Sequence, residues 1–282
     1  MLDRRATFWA LYLPPLLWLG VFFLVPLALM AAFSFHADLK GGLLQDWTLK
    51  QYDILFGKAD YWWRLGISAL IALTVAVGAT ALAYPVAYFL AYRAKVRASF
   101  YLILLLVPFW TSYLLRVMAW KIMLGSNGVI NSFLLSTGLI DQPLTALVYN
   151  LGAVVVTLIY VWIPFAALPI LAALQRIDPA LFEAAADLGA TPFRRFWRIV
   201  FPLSLPGVLA AFFMVFIPTV GEYVTPELVG GSSGSMYGNI IRELFDGLNW
   251  PLGSALSMIM LVLTLTLVAL AARLIDVRRL IE

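Results

Sequence analysis

The sequence predicts an all-α integral membrane protein with six transmembrane helices, both termini in the cytoplasm, and a short cytoplasmic helix between helices four and five. Three observations predict it. Hydrophobic residues fill 63% of the 282 positions and charged residues 12%, with a mean hydropathy of +0.94; soluble chains carry roughly a quarter charged residues. Six apolar stretches are long enough to cross a hydrocarbon core of roughly 30 Å, which needs about 20 helical residues. Arginine and lysine gather on alternate connections.

Composition also excludes. There is no cysteine and a single histidine, His36, which removes disulfides, thiolate metal sites, cysteine nucleophiles and any pair of imidazoles. No catalytic residues, no metal site and no cofactor of the chain's own are therefore expected. The net charge of +4 and pI of about 9.3 fit arginine on cytoplasmic connections rather than a nucleic-acid surface.

The first span, about 8–35, follows the basic start Met1-Leu2-Asp3-Arg4-Arg5. Its apolar run exceeds the roughly 7–15 residues of a signal core, so an uncleaved helix is expected, with cleavage near Ala31 as the minor alternative. An external loop, His36–Arg64, completes a first region of residues 1–64. The loop carries Trp47, Tyr52, Tyr61, Trp62 and Trp63 and suits either an external binding protein or the outer leaflet. His36 reads as an ordinary loop residue.

Spans two to six follow at about 65–92, 99–124, 144–174, 199–224 and 252–275, forming a core of residues 65–275, with 276–282 as a cytoplasmic tail. Helices are expected because lipid offers no partner for free backbone groups, and runs such as Ile67–Ala83 lack the alternation of a β-barrel. One side collects Arg4, Arg5, Arg93, Lys95, Arg97, Arg176, Arg194, Arg195, Arg198, Arg273, Arg278 and Arg279. The other holds Lys40, Lys50, Lys58, Arg64 and Arg242, with Arg116 and Lys121 near the end of span three. The positive-inside rule and the parity of six spans both place the termini in the cytoplasm. Prolines 14, 15, 26, 85, 108, 164, 169 and 218 lie in the spans. Each removes a helical hydrogen bond and tends to kink its helix, and their number favours a protein that encloses a path.

The connection from span four to span five carries its own start and stop signals. Asp178 is placed to cap a helix, Pro179 suits its first position, and Ile177 and Phe182 sit at staple spacing. Ala184, Ala185 and Ala186 favour helix and Gly189 ends it. The result is a helix over about 179–188, with Leu181, Ala185 and Leu188 on one face and Glu183 and Asp187 on another. Thr191 and Pro192 start a second helix, whose Arg194, Arg195 and Arg198 are expected near lipid headgroups beside Phe193, Phe196 and Trp197.

Glu183-Ala184-Ala185, then Gly189, Ile199 and Pro202, resembles the EAA signature of type I (EAA-motif, MetI-like) ABC importer permeases; Phe201 stands where that family often has leucine. Val107-Pro-Phe-Trp-Thr-Ser-Tyr-Leu-Leu-Arg116, the Gly221–Gly231 segment and Asn249-Trp-Pro251 look like the spermidine/putrescine group of these permeases. The resemblance implies a coupling helix in which Glu183, Ala184, Ala185, Asp187, Leu188 and Gly189 dock into a cleft of an ABC ATPase. It also implies a second permease subunit, a different chain, and an external substrate-binding protein. No Gly-x-x-x-x-Gly-Lys-Ser/Thr loop occurs, so ATP with its magnesium belongs to the partner ATPase. The chain reads as a transport subunit, not an enzyme.

An organic cation wants carboxylates and aromatic faces along its path. Trp110, Tyr113, Glu222, Tyr223, Glu227 and Asp246 are the candidates. The alternative for Glu222 is a pair with Arg116 or Lys121, and that for Trp110 and Trp250 is a place in the interfacial aromatic belt. Polyamines are the expected solute; an opine, an iron chelate or a thiamine-like cation are alternatives within the same importer class. A proton-coupled carrier is the rival mechanism, but it would want acids buried at mid-membrane rather than at span ends.

Overall fold

The computed structural model describes residues 4–38 and 47–274, almost all of them helical. The expected tail, 276–282, lies outside the described residues, as does part of the loop after span one. Five helices are long and apolar enough to cross a membrane, and a sixth crossing exists if one sharply bent pair counts as a span.

In chain order the first elements are α1 (Arg4–Ser34), α2 (Lys50–Gly57), α3 (Ala59–Tyr92), α4 (Ala98–Leu106), α5 (Tyr113–Leu124) and α6 (Val129–Ser136). Then come α7 (Leu151–Leu174), α8 (Ala180–Asp187), α9 (Pro192–Arg195), α10 (Phe201–Val220), α11 (Tyr237–Asp246) and α12 (Trp250–Leu274). Two compact units divide them: one is the chain up to Trp62 with Ile240–Leu263, the other Trp63–Asn239 with the helix end from Thr264.

In the first unit the expected external loop is partly built. α2 interrupts it, and Gln51 donates from Nε2 to the carbonyls of His36 and Ala37, each at 3.0 Å. His36 is not an ordinary loop residue: it is fully buried, with Nδ1 2.7 Å from the Ala32 carbonyl and its ring against Trp47. Ser34 and Tyr52 join their hydroxyls at 2.8 Å. α1 itself is apolar and almost wholly exposed within its own chain.

The second unit has a core built on small residues. Ala72, Ala76, Ala79, Ala83 and Ala87 form a buried stripe on α3 at the spacing of one helix face; without side-chain bulk, helices approach closely. α7 and α10 pack extensively against each other. A Cβ at Gly207 would collide with Ala173 and the Pro169 carbonyl of α7, so only glycine fits that crossing.

The third span departs from expectation. It is not one helix over 99–124: α4 ends, a 3-10 turn runs Val107–Trp110, and α5 starts at Tyr113, with an 88° bend between the two arms. Pro108 withholds an amide and Thr111 adopts extended backbone, its Oγ1 donating to the Pro108 carbonyl at 2.6 Å. Prolines 14, 15, 26, 85, 164, 169 and 218, by contrast, lie inside continuous helices. Span four begins at Leu151 rather than 144, because Asn150 Oδ1 accepts from the Ala153 amide at 3.0 Å and caps it. Span five runs Pro192–Val220 and includes a π turn, Phe196–Val200, just ahead of Pro202. The wider turn suits a proline that cannot donate and whose ring crowds the preceding turn.

Candidate functional site: a capped helix and a charged break

α8 forms within the expected stretch but starts one residue late, at Ala180, with Pro179 rather than Asp178 in the cap position. Asp178 Oδ1 accepts from the Ala180 amide at 2.9 Å. Gly189 ends the helix at φ +75, where glycine alone is unstrained. The Ala190 amide then donates to Ala185 at 2.9 Å and the Gly189 amide to Ala186 at 2.8 Å, the paired bonds of a Schellman ending. Thr191 Oγ1 accepts from the Arg194 amide at 3.3 Å and opens the next helix.

The inward face of α8 is narrow. Ala185 is its buried residue, and the Phe182 ring meets Tyr92 of α3 at 5.3 Å. Glu183, Ala184, Asp187, Leu188 and Gly189 are exposed, Leu188 at 88%. Of the six expected docking residues, five thus face outward, while Ala185 turns toward the bundle. Leu181 and Leu188 do not share its burial.

Beneath α8 lies an aromatic cluster. Tyr92 donates to the Leu174 carbonyl at 3.0 Å, closing α3 onto the end of α7. Tyr84 and Tyr88 meet Phe196 edge-on, and Tyr84 bonds Ser204 of α10 at 2.9 Å. Phe196, expected at the headgroups, packs inward instead; Phe193 and Trp197 stay exposed.

The expected path residues are partly gathered. Glu222 is half-buried, and its Oε1 accepts from the amides of Val224 and Thr225 at 2.9 and 3.0 Å. It caps the turn after α10 and leaves Arg116 and Lys121 alone. The Tyr113 hydroxyl meets Thr225 Oγ1 at 2.6 Å, tying α5 to that turn. Tyr223 is exposed, and its carbonyl accepts from Asn239 at 2.8 Å. Glu227 lies exposed on a π turn, Pro226–Gly230, and Trp110 is 84% exposed at the break. Asp246 belongs to the other compact unit, where it pairs with Arg242, one turn away on α11, at 3.3 Å.

Arg116, read in sequence only as a partner for Glu222, occupies a site of its own. It lines a cavity of about 290 Å³ between α4, the broken turn, α5 and α7, with Leu105, Pro108, Phe109, Tyr160 and Pro164 among the walls. Its guanidinium lies 4.7 Å from the Phe109 ring centroid and 5.9 Å from that of Tyr113, while Nε is buried without a hydrogen-bond partner. Ring contacts return about 0.5–1 kcal/mol each. The residue as a whole is half-buried, and Nε is the atom shut off from solvent.

The model of the family described as "Binding-protein-dependent transport system inner membrane component" matches residues 83–280, a stretch that holds α8 and the charged break. The chain belongs to that family. The permease is 34% identical over 259 residues to the spermidine/putrescine transport system permease protein PotB of Haemophilus influenzae, with 89% of this chain and 88% of the relative covered. It is 35% identical to PotB of Escherichia coli K12, covering 89% and 90%, and 31% identical to that organism's inner membrane ABC transporter permease protein YdcU, covering 94% and 88%. A chain of a bacterial alginate ABC transporter, solved with an alginate-bound periplasmic protein, matches at a TM-score of 0.73 and 19% identity, over 96% of this permease and 94% of that chain. That likeness shows a shared fold. As a member of this family the permease is a multi-pass transport subunit of the inner membrane.

Proposed function

We propose that the permease forms half of the translocation path of an ATP-binding-cassette importer for polyamines, with both termini in the cytoplasm. Its partners are ABC ATPase subunits that bind ATP and magnesium, a second permease of different sequence, and an external substrate-binding protein. α8 is the coupling helix, and one observation carries that assignment. The helix is fixed at both ends and seated by Phe182 and Ala185, yet turns Glu183, Ala184, Asp187 and Leu188 outward. A connector would not need such an exposed, rigidly ended face. Closure of the ATPase pair would move α8, and the spans would swing to open outward against the loaded binding protein.

Polyamine transport is supported by the two PotB relatives and by Glu222, whose carboxylate is linked through Thr225 to the Tyr113 hydroxyl. Uptake of radiolabelled 1,4-diaminobutane and spermidine in a deletion strain tests both parts. The deletion should abolish uptake, the wild-type gene should restore it, and Glu183→Arg should insert normally while restoring almost none. Uptake unaffected by the deletion would refute the substrate. A Glu183→Arg permease that still co-purifies with ATPase and transports normally would refute the docking role.

A further inference from the structure

The cavity at the break of the third span holds a charge that a purely cationic solute does not use. Its α7 wall, Tyr160 to Pro164, lies near the middle of Leu151–Leu174, roughly 17 Å of helix from either end. A lipid headgroup sits at the edge of the hydrocarbon, not at that depth. An ionisable side chain so placed finds a protein partner or marks a solute path. Arg116 has ring faces beside it but a buried Nε with no partner, and the cavity of about 290 Å³ is at the low end for small-molecule sites.

Charge of the opposite sign stands close by. Tyr113 has Arg116 over its ring, and its hydroxyl bonds Thr225, whose amide donates to Glu222. One tyrosine therefore bridges a cation and a carboxylate. We infer that the site accepts a solute with two unlike ends, an ammonium toward Glu222 and a carboxylate toward Arg116: the class of ω-amino carboxylates and carboxylated polyamines. This rests on the importer reading above and extends it to the far end of the solute. A guanidinium repels the second ammonium of a diamine and pairs with a carboxylate through charge-assisted hydrogen bonds.

A matched pair of probes isolates that end. In 1,4-diaminobutane and 5-aminopentanoate the same four-methylene amine ends in an ammonium or a carboxylate. Uptake of each, radiolabelled, is measured in cells carrying the complete transporter with wild-type, Arg116→Gln or Arg116→Lys permease, insertion being checked by immunoblot. Wild type should take up both. Arg116→Gln should lower 5-aminopentanoate uptake by about tenfold or more relative to diaminobutane uptake, and Arg116→Lys should show a smaller fall in that ratio. The inference is overturned if wild type takes up only the diamine, or if Arg116→Gln lowers both alike, which would make Arg116 a support for the helix break. Uptake of the amino acid alone would uphold it and sink the polyamine reading; uptake of neither would end both.

Discussion

Glu222 joins two roles in one side chain, and they can be separated. As an acceptor it caps the turn after α10 through Val224 and Thr225; as a charge it would hold an ammonium. Glu222→Gln keeps an acceptor oxygen and discards the charge. Diaminobutane uptake should fall about tenfold, which corresponds to ~1.4 kcal/mol, while the melting temperature in detergent changes little. A matching fall in melting temperature would assign Glu222 to structure alone. The rarity of acids near membrane depth singles this residue out in the sequence, where Arg116 and Lys121 are the partners that suggest themselves. The backbone amides that actually satisfy Glu222 belong to a turn whose path depends on Tyr113 and Asn239, residues far off in the chain. Burial of His36 was hidden for the same reason: it depends on Trp47 and Gln51.

Among the elements, α8 was the most legible, since Asp178, Gly189 and Thr191 act within a few residues of themselves. Its seat was not. The contact of Phe182 with Tyr92 joins residues that no local spacing connects. A spin label at exposed position 186 should become more mobile in Phe182→Ala with helical circular dichroism unchanged; equal mobility would mean that this ring pair does not seat α8. The broken third span shows the limit from the other side. Pro108 resembles the other prolines in sequence, yet the chain turns by 88° beside it while α3, α7 and α10 run on through theirs. Whether a helix survives a proline depends on which neighbours satisfy the freed carbonyl, and that is a property of packing.

At the scale of the molecule, the absence of cysteine makes orientation directly measurable. Val96, Leu188 and Leu139 are 98%, 88% and 69% exposed. With the basic connections inside, cysteines at 96 and 188 should react with a membrane-impermeant maleimide only after permeabilisation, and one at 139 in intact spheroplasts. Labelling of all three from one side would overturn the proposed topology. Five of the six expected spans followed from hydropathy alone, because crossing a bilayer is mostly a matter of length, while the third is a sharply bent pair; the interlocking of the helices did not follow, and Gly207 decides much of it. There α10 touches the backbone of α7 at Pro169, with roughly 16 Å of helix back to Phe196 and 20 Å onward to Val220. For a stiff rod, a contact so near the middle is a fulcrum. Tilted there, the two tips swing by similar amounts in opposite senses, so the aromatic cluster under α8 and the turn holding Glu222 would ride the two ends of one seesaw.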